Sequence, residues 1–358
     1  MKKVLIVTYI DFWKGGAGCH SRLTSIVNFL RGRCNLTVLF IGPADTTDLQ
    51  ILQKDYSWLK MDYLEIRYRL DWSAYVERFA EYMSRNYFDI ALLEYIEMYL
   101  ILHLFPRDTI KILDTHDVLS EKIKSFSKYN IPYNGMMMTL EQEIKIYSEF
   151  DHVILINYDD QAKVKDKMSR DNTMVVPHPI NFPKRIINQK VSNVLFMASA
   201  YPPNVEGITW FLENVWPFVD NDHIQLNIYG KVADALVDKI GIYKNVNFIG
   251  FVENIESVYQ KTDLVINPTR AGAGLKIKNV EALGNGLPLI TTSHGLSGME
   301  DALPNALAAA DTAEEFIKVF NELLNDYPRR KAMGEHAFNY AHAKFSETAC
   351  FRPLLNLL

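Results

Sequence analysis

The segment NPTRAGAGLKIKNVEALGNGLP, residues 267–288, contains in order a strand end, a loop of small residues, a helical pattern from Leu275 to Leu283 and a glycine stop. This order is typical of the βα units of a parallel sheet. The first turn of a helix leaves backbone N–H groups without intrahelical partners, so the N–H groups of Gly274 and Leu275 are suited to bind an anion. The segment therefore predicts a phosphate site between a strand and a helix.

Two charged side chains of the same helix extend this site. In helical geometry Glu281 lies about 10 Å along the axis from Gly274 and on nearly the same face, and Lys278 falls within roughly 60° of that face. A phosphate site with a carboxylate beyond it matches a nucleoside diphosphate, in which ribose hydroxyls follow the charged diphosphate. The alternative is a solvated helix surface, on which Lys276 binds nothing and Lys278 forms an ion pair with Glu281.

Strand and helix patterns alternate on both sides of this segment and predict an α/β fold with two Rossmann-like, doubly wound domains. The predicted domains are residues 1–185 and 186–340, and residues 341–358 are predicted to form a C-terminal helix that packs back on the first domain. The predicted strands are Val4–Tyr9, Leu36–Ile41, Ile90–Leu93, Ile110–Leu113 and Val153–Ile156 in the first domain, and Val194–Ala198, Ile224–Tyr229, Val246–Ile249, Leu264–Asn267 and Leu289–Thr291 in the second. Ligands of such sheets bind beyond the carboxyl ends of the strands, so we expect a central cleft between the domains.

Composition narrows the class of protein. Hydrophobic residues make up 48% of the 358 residues and charged residues 23%, which is ordinary globular usage. A net charge of −5 argues against a nucleic-acid partner, because such binders need a dense basic surface. Cys19, Cys34 and Cys350 lack the spacing of a disulfide framework or a zinc site, and no other metal cluster is evident. The apolar run 4–10 is too short for a signal peptide and charged residues interrupt the stretch 90–105, so we expect a cytoplasmic protein without a transmembrane span.

Three strand ends in the first half supply further candidate site residues. The loop KGGAG, residues 14–18, lacks the full dinucleotide-binding spacing, but Gly16 would let a ligand approach the backbone. His116 and Asp117 follow one predicted strand and Glu94 follows another. Each also has a structural interpretation, as a plain turn, a helix cap or a packing residue.

Three blocks of the second half resemble the donor-binding domain of GT-B glycosyltransferases, in particular family 4, whose members transfer sugars from nucleotide-sugars with retention of configuration. The blocks are residues 194–204 (VLFMASAYPPN) with 210–212 (WFL), 229–231 (YGK) with 248–252 (FIGFV), and 274–288 with 291–295 (TTSHG). The first half matches only through its glycine loop and residues 113–117 (LDTHD). The resemblance implies a GT-B enzyme that adds a sugar to an acceptor hydroxyl of a cell-surface polysaccharide or glycolipid.

The same resemblance assigns roles to individual residues. The second glutamate of the family's E-x7-E motif falls on Glu281, which implies ribose binding, and the diphosphate-binding backbone falls on Gly274 and Leu275. The donor-nucleotide residues of the second block are Gly230, Lys231 and Val252. The resemblance places His116, Asp117 and Gly16 on the acceptor side, with His116 as a catalytic residue, and it implies neither a metal nor another cofactor. Glu94 is a further acceptor-side candidate because it follows a strand end, as His116 does.

Two departures from the family pattern concern the donor. The first glutamate of the motif is replaced by Ala273, and the family's arginine and lysine after the first strand of the donor domain have no match in residues 200–204. The leaving diphosphate gains negative charge as the glycosidic bond breaks, so a substitute cation is required. The candidates are Arg270, Lys276 and Lys278, of which Lys278 is the predicted catalytic cation.

Two other functions remain open, a nucleotide-sugar epimerase of the same fold and a noncatalytic sugar-binding subunit. The lysines at 122, 124 and 128 lie among apolar residues, a pattern that predicts peripheral contact with anionic lipid at the inner face of a membrane, near a glycan or lipid-linked acceptor. The alternative for these lysines is an ordinary solvated helix. The nucleotide base, the sugar and the linkage have no recognisable code in the sequence.

Overall fold

Two parallel β-sheets organise the computed structural model, which describes residues 1–43, 45–65, 72–237, 241 and 243–358. Each sheet is flanked by helices on both faces, so the predicted α/β fold is confirmed. The ten strands predicted from the sequence are all present within two residues of their expected bounds. Apolar runs buried on both faces mark these strands, as parallel sheets covered by helices require.

The first sheet has seven strands in the order β3-β2-β1-β4-β5-β6-β7, all parallel to their neighbours. Its strands are β1 (Lys3–Thr8), β2 (Asn35–Ile41), β3 (Lys60–Leu64), β4 (Ile90–Glu94), β5 (Ile110–Asp114), β6 (His152–Leu155) and β7 (Thr173–Val175). Its helices are α1 (Gly18–Leu30), α2 (Thr46–Asp55), α3 (Trp72–Arg85), α4 (Leu119–Lys128), α5 (Leu140–Tyr147) and α6 (Tyr158–Lys165), with 3₁₀ helices at Phe12–Lys14 and Ile96–Leu104.

The second sheet has six parallel strands in the order β10-β9-β8-β11-β12-β13. Its strands are β8 (Asn193–Met197), β9 (Gln225–Tyr229), β10 (Val246–Gly250), β11 (Leu264–Asn267), β12 (Leu289–Thr291) and β13 (Ala308–Ala309). Its helices are α7 (Pro202–Asn214), α8 (Lys231–Leu236), α9 (Ile255–Gln260), α10 (Ile277–Gly284) and α11 (Ala313–Asn325), with 3₁₀ helices at Trp216–Phe218, His294–Leu296 and Glu300–Ala302.

Two final helices, α12 (Tyr327–Phe345) and α13 (Glu347–Leu355), return the chain to the first domain. The backbone N–H of Ile180 donates to the carbonyl of Phe345 at 2.7 Å. The ring of Phe351 packs on Phe29 of α1 at 4.6 Å between centroids, and Lys2 Nζ donates to the carbonyl of Leu357 at 2.7 Å. The last helix therefore lies against α1.

The carboxyl ends of the central strands of both sheets point into one cleft. The loops after β1, β4 and β5 line it from the first domain, and the loops after β8, β9, β10 and β11 line it from the second. This is the arrangement that the doubly wound topology predicts, because the strand order reverses at β1 and β8. Within the described part of the chain, no helix is both long enough and apolar enough to cross a bilayer.

Candidate active site

A cavity of about 380 Å³ lies in the cleft, and both domains contribute to it. The first domain supplies the glycine loop after β1 and the residues that follow β4 and β5. The second domain supplies the loops after β8, β9 and β10 and the start of α10. Of the residues predicted for the site, nine line this cavity: Gly16, His116, Asp117, Gly230, Val252, Leu275, Lys276, Lys278 and Glu281.

The glycine loop approaches the second domain closely. Gly16 has a positive φ of 86°, and a Cβ there would lie 3.4 Å from the ring of Phe251. A Cβ at Gly18 would lie 3.2 Å from the side chain of Ile277. Both observations give a physical reason for glycine, namely a left-handed backbone at Gly16 and a tight interdomain contact at Gly18. The loop therefore forms one wall of the cavity.

The helix at the predicted phosphate site begins two residues later than the sequence pattern indicates. Gly274 is left-handed, with φ of 69°, and Lys276 has the extended backbone of an N-cap residue, so α10 starts at Ile277. A Cβ at Gly274 would lie 2.8 Å from the carbonyl oxygen of His116. Gly274 thus contacts the first domain instead of lining the cavity, and the predicted cradle is corrected to the segment from Leu275 to the first turn of α10.

Lys278 and Glu281 both face the cavity, and they bond to other residues of the second domain instead of forming a surface ion pair. Lys278 Nζ donates to Asn204 Oδ1 at 2.6 Å and lies 3.3 Å from Thr269 Oγ1. Glu281 Oε2 accepts a hydrogen bond from the Tyr259 hydroxyl at 2.9 Å. The solvated-helix alternative is therefore wrong for these two residues.

Burial shifts the pKa of all three charged groups on this segment. It lowers the pKa of Lys278 to about 7, with a further contribution from nearby Lys276, and raises the pKa of Glu281 to about 7. It also lowers the pKa of Lys276 to about 8. The ammonium of Lys276 donates to the carbonyls of Gly274 at 2.9 Å and Ala273 at 3.3 Å. Two desolvated ammonium groups at one wall suit a strongly anionic ligand.

Arg270 and Lys231 lie outside the cavity, which corrects their predicted position beside the donor. Arg270 forms an ion pair with Glu206, and its guanidinium lies 4.6 Å from the ring centroid of Trp210 in a separate crevice. Lys231 is exposed at the start of α8. The sequence does not predict either position, because neighbouring residues of a loop or of a helix start point in different directions.

On the opposite wall, a buried charge network holds His116. Its Nε2 lies 2.5 Å from Glu94 Oε2, and its ring stacks on Tyr95 with centroids 4.1 Å apart. Its backbone is left-handed, with φ of 60°, which is uncommon for histidine. Glu94 is fully buried behind His116 and does not line the cavity, so its predicted acceptor-side position is corrected to a partner of His116.

Arg22 completes this network and could not be predicted from a motif. Its guanidinium donates to both carboxylate oxygens of Asp114, at 2.7 and 2.9 Å. Burial acts to raise the pKa of Asp114, but Arg22 and His116 outweigh it and the pKa is lowered. Burial and the charge of Asp114 raise the pKa of Glu94. Within the described residues, one group has the atoms of a possible metal site: Glu94, Asp114 and His116, whose potential ligand atoms lie within 4.8 Å of one another. Both carboxylate oxygens of Asp114, however, already accept hydrogen bonds from Arg22.

Lys122 is another residue of the cavity, although its sequence pattern predicts a surface that contacts anionic lipid. It lines the cavity and pairs with Asp117 at 2.7 Å, instead of facing a membrane. Lys124 pairs with Glu121 at 2.7 Å. Of the predicted basic and apolar surface, Lys124, Lys128 and Met137 are exposed, so a membrane contact stays a prediction.

Comparisons with known proteins agree with this architecture. Residues 192–326 match the family model described as glycosyl transferases group 1. The chain is 28% identical over 221 residues to an uncharacterized 44.6 kDa protein in the cps region of Klebsiella pneumoniae, a match that covers 58% of this chain and 56% of that protein. It is 29% identical over 114 residues to the lipopolysaccharide glucosyltransferase WaaG of Escherichia coli K12, covering 30% of this chain and 29% of WaaG. The matched segments thus span about half or less of these curated relatives.

The whole chain also superposes on solved GT-B structures. Anabaena HepE, solved in complex with UDP and glucose, gives a TM-score of 0.75 at 15% identity and covers 100% of this chain and 99% of its own. The GT-B fold inferred from the sequence is therefore confirmed. Residues 192–326, most of the second domain, are similar to group 1 glycosyl transferases.

Proposed function

We propose that this protein transfers a sugar from a nucleoside-diphosphate sugar to a hydroxyl of a glycan or lipid-linked glycan, in polysaccharide or lipopolysaccharide assembly. The main support is that one cavity joins the buried Lys276 and the half-buried Lys278 and Glu281, at the start of α10 and on its first turns, to a fixed histidine on the opposite domain. Relatives from a cps region and from lipopolysaccharide synthesis support the class of acceptor.

The donor would lie along the start of α10. Its diphosphate would meet Lys276, Lys278 and the first-turn N–H groups, and its ribose hydroxyls would donate to Glu281. Because a bound dianion favours the charged form of both lysines, binding would raise the pKa values that burial lowers in the free protein. Ala273 supplies no carboxylate to the transferred sugar, which leaves its recognition to other groups.

In the reaction, the bond between the sugar C1 and the diphosphate oxygen breaks, and its electron pair leaves with the nucleoside diphosphate. The acceptor oxygen forms a new bond to C1 and gives its proton to the departing diphosphate oxygen, with retention of configuration as the family resemblance implies. Lys278 and Lys276 would stabilise the charge that develops on the leaving group. Glu94 and Tyr95 would fix the His116 ring, so that its other nitrogen faces the reacting sugar. We propose that no metal is needed, since the lysines supply the positive charge, and that the enzyme acts in the cytoplasm at the inner face of the membrane.

Thermal-shift screening of the full chain against UDP-, GDP-, ADP- and CMP-sugars, with and without a chelator, tests this proposal. A ligand at about 100 times its dissociation constant adds about 2.7 kcal/mol to the free energy of unfolding. We expect one nucleotide series to stabilise the protein equally well in the presence of the chelator. Incubation with donor alone should produce no new epimer of the sugar, whereas an epimerase would make one. If none of the nucleoside-diphosphate sugars stabilises the protein, or if only CMP-sugars do, the proposed donor site is wrong, because a CMP-sugar carries a single phosphate.

A further inference from the structure

A second, smaller crevice opens beside the cavity, and only the first domain forms it. It has a volume of about 210 Å³, and its lining includes Tyr9, Glu97, Tyr133 and three residues that also line the cavity, Tyr95, Asp117 and Lys122. We call it the small crevice. Because the shared residues follow β4 and β5, an occupant of the small crevice would lie next to His116.

The 3₁₀ helix after β4 places Glu97 in the wall of the small crevice. Its Oε2 is enclosed and has no hydrogen-bond partner within the described part of the chain. Burial raises the pKa of this carboxyl, so its desolvation is not fully compensated by neighbouring groups. A buried acceptor without a donor costs free energy, and such a group in a polar crevice indicates a ligand that supplies the donor.

The charges of the small crevice select the kind of ligand. Asp117 and Lys122 neutralise each other in an ion pair of 2.7 Å. Glu97 then leaves the crevice with a net negative charge, which disfavours a phosphate or a carboxylate. Hydroxyl groups can donate to Glu97, and the phenols of Tyr9 and Tyr133 add further polar contacts.

The size of the small crevice limits the ligand further. Its volume of about 210 Å³ is little more than half that of the donor cavity, at about 380 Å³. Sites for drug-sized ligands occupy roughly 300–1,000 Å³. One sugar ring therefore fits this space better than an oligosaccharide or an acyl chain does.

Resting on the proposed function, we infer that the small crevice binds the terminal, uncharged sugar of the acceptor, and that Glu97 accepts a hydrogen bond from one of its hydroxyls. This assigns the acceptor class as a neutral glycan terminus and makes Glu97 a residue that determines acceptor specificity. The acceptor hydroxyl that reacts would then point from the small crevice across Tyr95 toward the donor.

Saturation-transfer NMR on the full chain with bound nucleotide tests this inference. The probes are the methyl glycosides of glucose, galactose, mannose and N-acetylglucosamine, with glucose 6-phosphate as the anionic comparison. We expect saturation of the ring protons of at least one methyl glycoside and none for glucose 6-phosphate. Glu97→Ala should weaken the binding of that glycoside by about tenfold or more, as expected for a lost hydrogen bond to a charged group. Glu97→Gln, which keeps an acceptor oxygen and the side-chain volume, should weaken it less.

Two controls separate this inference from the proposed function. Glu149→Ala removes an exposed carboxylate of the same domain and should leave glycoside binding unchanged. The affinity for the nucleotide should be the same in wild type and in both Glu97 variants. If the wild type binds nucleotide but no methyl glycoside, or if both Glu97 variants are folded and bind the glycoside normally, the inference is overturned and the donor site stands. If the wild type binds no nucleotide, the proposed function itself fails.

Discussion

Replacing Lys278 by alanine should slow sugar transfer more than it weakens donor binding. The ammonium is held at 2.6 Å from Asn204 and 3.3 Å from Thr269, so its position does not depend on the ligand. Two unit charges about 4 Å apart interact by about 4 kcal/mol at an effective dielectric constant of about 20. If about a third of this interaction develops only as the leaving group gains charge, the loss is roughly 1.4 kcal/mol, or tenfold in kcat.

Steady-state kinetics of wild type and Lys278→Ala at matched ionic strength would measure this loss. Lys231→Ala is the matched control, because Lys231 is an exposed lysine of the same domain that lies outside the cavity. We expect kcat to fall by about tenfold or more for Lys278→Ala and to stay unchanged for Lys231→Ala. A normal kcat for Lys278→Ala, or a loss confined to KM, would refute the assignment of transition-state stabilisation to this residue.

The same lysine should give a protonation signal on binding. With a pKa of about 7, Lys278 is mostly neutral at about pH 8 in the free protein, and a bound diphosphate raises that pKa. Binding should therefore take up protons at this pH, whereas Glu281, also with a pKa of about 7, is already mostly ionised and releases few. Calorimetry in buffers of different ionisation enthalpy would show this uptake, and Lys278→Ala should reduce it. Equal uptake in wild type and variant would contradict the idea that Lys278 contacts the diphosphate.

Three further substitutions follow from the geometry. Glu281→Ala should weaken nucleotide binding by about tenfold, and unchanged affinity in titration calorimetry would count against ribose binding. It should also lower the free energy of unfolding, measured in urea, by about 1–3 kcal/mol, because the Tyr259 hydroxyl loses its acceptor. Glu94→Gln should lower kcat by about tenfold, because it removes the carboxylate that fixes the His116 ring. The glutamine keeps the side-chain volume, so little stability should be lost. A normal kcat would show that the charge of Glu94 is not needed. Gly230→Ala should lower the free energy of unfolding by at least about 1–2 kcal/mol, because its φ is 86° and a methyl group would meet the backbone oxygen of Ala198, directly after β8. An unchanged urea midpoint would contradict this prediction.

The fold could be predicted because central parallel strands are buried on both faces and read as apolar runs. The strands that the sequence did not reveal are β3, β7 and β13, all at or near the edges of their sheets. β3 alternates lysine and aspartate with apolar residues, and β13 has two residues, so neither gives a clear apolar run. Edge strands need fewer buried side chains, and their sequence pattern is weaker for that reason.

The site could be predicted only as far as local spacing determines it. Helical geometry correctly places Lys278 and Glu281 on the face that lines the cavity. The position of Arg22 depends on its bond to Asp114, 92 residues away in the chain, and no local pattern contains it. Lys122 pairs with nearby Asp117, but a basic and apolar helical pattern does not reveal that this pair faces the cavity. The early start predicted for α10 has a local cause, since the left-handed conformation of Gly274 is not evident from a helical pattern that tolerates glycine.

In the proposed donor site, the cavity binds a nucleoside diphosphate through Lys276 and Lys278 at the start of α10. Calorimetric titration of UDP, GDP and ADP into the wild type and into the double variant Lys276→Ala/Lys278→Ala would measure this binding, with Lys231→Ala as the control. We predict that one of the three nucleotides binds the wild type and the control at one site per chain, and that the double variant, although folded, loses this binding by about a hundredfold or more, equivalent to about 2.8 kcal/mol. Binding of none of the three nucleotides, or equal binding by the folded double variant, would contradict the claim.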